Sequence, residues 1–110
     1  MAQDEWVDVG SVAELSQVAV QQVMVGSTRI ALSFRDGVFG AISGVCNHAG
    51  GPLGKGSLDT EYVVCPWHQW KFHRIEGQGE RGYEEDAVPA YKVRVREGRV
   101  EINPKPHTKR

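Results

Sequence analysis

Cysteine is scarce: two residues in 110, far below the density of a secreted disulfide scaffold, and a lone disulfide would be unusual in a reducing compartment. Long apolar runs are missing as well. No stretch approaches the roughly 18 residues of a membrane span, and the opening Met1-Ala2-Gln3-Asp4-Glu5-Trp6 lacks the basic and apolar regions of a secretory leader. These features give the expectation of a cytoplasmic protein with no membrane association. Nor is there an excess of one charge. The formal net charge is −1, with acidic and basic residues mixed along the chain, so the broad basic footprint of a nucleic-acid binder is absent.

What is present fits one domain. A chain of 110 residues that is 40% hydrophobic and 25% charged can bury one modest core, but not a second catalytic domain. Val18, Val20, Val23 and Val25 lie in a β-branched run, and Thr28 to Phe34 alternates as a second strand. Asp36-Gly37 then separates this run from Val38 to Ile42, a strong hairpin signal. Near the end, Tyr91, Val93 and Val95 alternate with Lys92, Arg94 and Arg96, and Glu97-Gly98 turns the chain into Val100 and Ile102, a second hairpin with one wet face. Ser11-Val12-Ala13-Glu14 matches a capping box, followed by too few periodic residues for more than a turn or two of helix. The pattern predicts an antiparallel all-β sandwich or barrel over residues 1–104, with an insertion at about 44–79 that carries the site, and a flexible tail over 105–110.

That insertion holds both cysteines, three of the four histidines, and Trp67 and Trp70. Cys46-Asn47-His48 and Cys65-Pro66-Trp67-His68 each pair a thiolate with an imidazole, with 16 residues between the two groups. Soft thiolates favour Fe–S or zinc, and imidazole serves either. The flanking Gly44, Gly50, Gly51, Gly54 and Gly56 let two loops bend tightly around an inorganic core. A closed Cys₂His₂ zinc site is the alternative on ligand type, although C-x-H is an awkward spacing for zinc knuckles.

The pattern C-x-H, this spacer and C-x-x-H resembles the cluster-binding signature of the Rieske family. The likeness extends through Ala49-Gly50-Gly51-Pro52-Leu53 and Gly56-Ser57-Leu58, as in the ferredoxins of bacterial ring-hydroxylating oxygenases. It implies one [2Fe–2S] cluster, with Cys46 and Cys65 on one iron and His48 and His68 on the other. Two ferric ions, two sulfides and two thiolates sum to a neutral oxidised core, which accepts an electron more easily than a four-cysteine core; the family window is about −150 to +300 mV. Cytochrome-complex relatives carry an extra cysteine beside each motif, where Ala49, Gly50, Gly51 and Trp67 stand here, so the likeness is to the ferredoxin branch. Trp70 occupies the place where high-potential relatives have a serine hydroxyl, implying the low end of the window. Pro52, Leu53, Pro66 and Trp67 are expected to keep the cluster dry and to form a docking rim.

Two residues depart from the family. Gln69 stands where glycine is usual, and His73 lies in a strand-like run, Trp70-Lys71-Phe72-His73, where a small polar or acidic residue is common. Trp67, Trp70 and Phe72 are read as packing, His73 as a hydrogen-bonded or surface residue, and the acidic stretch from Glu76 to Asp86 as a solvated loop. The resemblance implies a monomeric one-electron carrier, not an enzyme in itself, between an NAD(P)H-dependent flavin reductase and a terminal oxygenase. The alternatives are the small subunit of a multisubunit reductase, such as a nitrite reductase, paired with a large reductase subunit, and a zinc-stabilised interaction module.

Overall fold

A computed structural model describes residues 5–47, 50–67 and 69–107. The chain forms ten strands among these residues: β1 (Val7–Ser11), β2 (Val20–Val25), β3 (Thr28–Arg35), β4 (Val38–Ser43), β5 (Ser57–Asp59), β6 (Tyr62–Val64), β7 (Lys71–His73), β8 (Ala90–Tyr91), β9 (Val93–Arg96) and β10 (Arg99–Ile102). They make three antiparallel sheets ordered β1-β10-β9, β2-β3-β4-β8 and β5-β6-β7. This is the antiparallel all-β architecture expected, with the third sheet built inside the insertion.

Both predicted hairpins form, and their turns show why. Asp36 and Gly37 have φ of 53° and 81°, and Glu97 and Gly98 have 52° and 77°. Two successive positive φ values match the right-handed twist of the flanking strands. The N-cap half of the capping box forms: the Ser11 Oγ accepts from the Glu14 N–H at 3.1 Å, and the helix α1 (Val12–Leu15) is a single turn. Strand β1 was not anticipated. It pairs with β10 through an irregularity between Asp8 and Gly10, because a single Gly in an otherwise weak strand pattern hides the alternation.

The four-stranded sheet is buried on both faces. Ile30 and Leu32 join Val25, Phe39, Ala41, Tyr91, Val100 and Ile102 in one core against the β1-β10-β9 sheet. Ala31, Val20 and Ile42 join Leu53, Val63, Phe72 and the two cysteines in a second core under the insertion. Val95 shares the face of its partner Val100 but lies on β9, at the edge of the sheet, while Val100 lies on the central β10, and Val95 is 54% exposed. His107, within the tail expected to be flexible, bridges Ala90, its N–H donating to the Ala90 carbonyl at 2.8 Å.

One buried cation fastens the insertion to the central sheet. Arg74, 3% exposed, follows β7 and donates to Glu61 Oε1 (2.9 Å), Ser33 Oγ (3.2 Å), the Val38 carbonyl (3.0 Å) and the Arg35 carbonyl (3.2 Å). Glu61 also faces the Arg35 guanidinium at 3.0 Å. Gly40 makes room for this approach, since a Cβ there would meet the Ile75 side chain at 2.8 Å.

Desolvation pushes the Glu61 carboxyl up, but the Arg74 hydrogen bond, with the charges of Arg74, Arg35 and His73, outweighs it and holds the group below its ordinary 4.5. A carboxyl with a depressed folded pKa contributes stability above its unfolded pKa and loses it as pH falls through the folded value. The difference in thermal midpoint between the native protein and Glu61→Gln is therefore present at pH 7 and closes as the pH is lowered below the carboxylate range, as thermal unfolding across a pH series will measure. Arg74→Met leaves the buried Ser33 hydroxyl and the Val38 and Arg35 carbonyls without this donor and takes from the Glu61 carboxylate one of its two arginine partners. It should cost about 3 kcal/mol in urea unfolding.

Candidate metal centre

The two cysteines sit at the starts of two loops that point into the second core. Cys46 follows β4 by way of Gly44 and Val45, and Cys65 directly follows β6. Both are buried, at 2% and 0% exposed, and neither forms a disulfide. Their loops are built on one frame. The residue before each cysteine pairs across the loop, Val45 with Pro52 and Val64 with Lys71. The Cys46 N–H donates to the Gly51 carbonyl (2.9 Å), and the Cys65 N–H to the Trp70 carbonyl (2.7 Å). In return, the Gly50 N–H donates to the Cys46 carbonyl (3.0 Å), and the Gln69 N–H to the Cys65 carbonyl (2.9 Å). Each loop thus satisfies its own cysteine backbone in a setting where an unmade hydrogen bond would cost about 1–3 kcal/mol.

The frame requires a left-handed residue four positions after each cysteine. In the first loop this is Gly50, at φ +73°, and in the second it is Gln69, at φ +63°. The departure at Gln69 therefore leaves the backbone turn in place, with glutamine taking the conformation that glycine would take.

The loops face each other closely. A Cβ on Gly51 would lie 2.8 Å from Cys65 Sγ and 3.1 Å from the Trp67 ring, so bare backbone is required where the first loop passes the second thiol. Asn47 ties the first loop outward, its Nδ2 donating to the Ala87 carbonyl at 3.1 Å. His48 and His68, the other two residues singled out from the sequence, lie outside the described residues. Among the described residues no three His, Cys, Asp or Glu side chains gather as a metal site.

The surrounding residues divide differently from the sequence expectation in one respect. Trp67 (55% exposed) and Pro66 lie at the surface, but Leu53 is fully buried in the second core and takes no part in a rim. Its N–H donates to the Gly44 carbonyl at 2.9 Å, so it anchors the base of the first loop. Trp70 packs against the core and meets Tyr83 edge-on at 5.7 Å, and Phe72 is fully buried. His73 staples a turn: its Nδ1 accepts from the N–H groups of Ile75 (3.2 Å) and Glu76 (3.3 Å). Two features escaped the sequence reading. Arg74 carries no pattern that separates it from a surface arginine, whereas Gly51, one of several flanking glycines, becomes the critical one only when the loops are brought together.

Two buried thiols, not joined to each other, on loops of matching frame and with backbone bared between them, suit a soft-metal group. Comparison with known proteins agrees. Residues 5–92 match the Rieske [2Fe–2S] domain. The chain belongs to the Rieske family. Its cofactor is one [2Fe–2S] cluster. It is 31% identical over 103 residues to the ferredoxin component of an alkene monooxygenase system from Xanthobacter autotrophicus, spanning 93% of this chain and 84% of that protein. It is also 31% identical over 91 residues to the apoptosis-inducing factor 3 of Mus musculus, covering 83% of this chain but only 15% of that much longer protein. Among solved structures, a complex of oxygenase and ferredoxin in carbazole 1,9a-dioxygenase shares the Rieske fold, with a TM-score of 0.84, 97% of this chain and 100% of that chain covered, and 23% identity.

Gly51→Ala drives a methyl group into the Cys65 thiol and the Trp67 ring. The purified variant should hold well under half the iron and sulfide of the native protein, measured by elemental and sulfide analysis against protein concentration.

Proposed function

We propose that the chain is a one-electron carrier whose cluster is held by Cys46, His48, Cys65 and His68, and that it passes electrons from an NAD(P)H-dependent flavin reductase to a terminal oxygenase. The observation that carries the reading is the pair of facing thiols on matching loops within a dry core. The cysteines supply two thiolates, and the histidine that follows each, by two or three residues, supplies the imidazole of the same clamp. When bound, such a cluster accepts and returns a single electron without bond-making of its own. A relative that this chain covers over most of its length is a ferredoxin component, which supports the placing of the carrier between a reductase and an oxygenase. The reading takes the carrier as a cytoplasmic monomer.

The chain's own residues prepare this role in three ways. Leu53, Val63 and Phe72, all fully buried, exclude water beneath the thiols. The cysteine N–H groups are committed to carbonyls in their own loops, which fixes the backbone from which both thiols project. Trp67, with Pro66 beside it, offers an exposed apolar surface next to the second loop, suited to a partner's apolar contact. The ring of Trp70 occupies the space beside Tyr83 and brings no hydroxyl to the site, which supports a potential at the low end of the window, near −150 mV.

The protein as isolated should be reddish-brown and, once reduced, give an EPR signal of low average g, with a midpoint near −150 mV by voltammetry. It should be reduced reversibly, and less quickly at high salt, by the flavin reductase of a ring-hydroxylating oxygenase system. A colourless protein containing zinc and no sulfide would overturn the reading. Stable co-purification with one large reductase subunit would replace the shuttle with a fixed subunit.

A further inference from the structure

The two cysteine loops share every backbone feature described above except the residue at the left-handed position. Gly50 takes φ +73° and Gln69 takes φ +63°. The left-handed region crowds the Cβ of an L-residue against the following carbonyl, whereas glycine has no Cβ to crowd. Among the described residues the loops therefore match in the backbone hydrogen bonds at their cysteines and differ in strain at the left-handed position, and only the first has a side-chain tie outward, from Asn47 to Ala87. The other non-glycine residues at positive φ, Asp36, Thr60 and Glu97, lie in turns between paired strands away from the thiols, so among the described residues Gln69 alone brings this strain to a cysteine loop. Its side chain is exposed and makes no hydrogen bond to another described residue. Among the described residues no side-chain contact of Gln69 offsets the cost. Strain of this kind persists only where surrounding structure over-determines it, and here the restraint is the pair of hydrogen bonds to Cys65, together with whatever Cys65 itself holds.

We propose that Gln69 is a positioning residue of the cluster clamp and its point of release: the strained Cys65 loop opens before the Cys46 loop, and this opening sets the rate at which the cluster is lost. The inference rests on the reading that Cys46 and Cys65 are ligands. Opening the loop lets Gln69 leave the left-handed region, so the frequency of opening rises with the cost of holding the residue there. The order of tolerance is glycine, then asparagine, then glutamine, with β-branched valine the least tolerant. Glycine also gives the open loop more freedom, which trims its advantage. The first loop supplies the reciprocal case. A Cβ on Gly50 meets no described atom within 4 Å, so a side chain there brings strain without a steric clash among the described residues.

The test uses the holoprotein in excess EDTA, with cluster loss followed by bleaching of the visible absorbance. Relative to the native protein, Q69G should lose its cluster about threefold more slowly and Q69N by an intermediate amount, while Q69V should lose it about tenfold faster. G50Q should lose it about threefold faster. Amide hydrogen exchange in the native holoprotein should show the Gln69 N–H exchanging before the Gly50 N–H, and the double variant G50Q/Q69G should invert that order. A merely structural residue would change the overall rate of loss without inverting which loop opens first. The proposal is overturned if Q69G releases its cluster as fast as the native protein, if the rates follow side-chain size instead of left-handed tolerance, or if the exchange order does not invert. Native protein lacking iron and sulfide would overturn the ligand assignment itself, a separate failure seen before any variant is made.

Discussion

A thiol buried in an apolar core brings its backbone with it, and every N–H and carbonyl so buried must find a partner. That constraint shapes the whole insertion. Each cysteine donates to a carbonyl five residues on and accepts from an N–H four residues on, so the loop closes upon itself and satisfies its own cysteine backbone. Closure at that length demands a left-handed residue, and the close approach of two such loops demands a glycine at the crossing. Gly50 and Gly51 meet these separate needs side by side in the first loop. In the second loop only the left-handed need recurs, and glutamine meets it at a cost.

Self-contained loops still have to be aimed at one another, and that task falls to the sheets beneath them. The first loop leaves the central four-stranded sheet, and the second is the turn of the small β5-β6-β7 sheet. Their relative position is therefore no better fixed than the contact between the two sheets. Apolar packing of Leu53, Val63 and Phe72 supplies adhesion there without direction. Arg74 supplies direction: four hydrogen bonds from its rigid fork reach one side chain of the insertion and three acceptors of the central sheet, which ties the two in a set orientation. A buried charge is a costly means of stabilisation. Its value here is in fixing how the two sheets sit.

The second core serves structure and site at once. Its buried residues include both cysteines, so the packing that stabilises the insertion also desolvates the thiols. The exposed apolar residues lie at the other extreme, with Trp67 standing 55% exposed beside a loop whose cysteine is fully buried. A short path from a dry centre to an apolar surface is what a one-electron carrier needs, since its partner must come near the centre without water entering.

Much of this was legible in the residues alone. The hairpins at Asp36-Gly37 and Glu97-Gly98, the short capped helix after Ser11 and the all-β class follow from turn chemistry and period-2 patterning, which act over a few residues and so are written locally. The thiol and imidazole pairs are local too: ligand type narrowed the chemistry to Fe–S or zinc, and the resemblance of the whole motif to the Rieske signature pointed to a cluster. Other features are set by residues distant in sequence and only tertiary structure decided them. Nothing near Arg74 marks it as buried, because its acceptors come from Ser33, Arg35 and Val38 on other strands. Leu53 reads as a rim residue from its place beside the motif, but the core claims it. Gln69 looked like a break in the pattern, and the structure shows instead a preserved turn under strain, because the hydrogen bonds at both ends of the loop fix the backbone whichever side chain it carries. The sequence by itself determined which atoms are available to hold a metal; the packing of two sheets decided that the loops carrying them face each other, since contact between distant segments depends on shape and burial that no local pattern records.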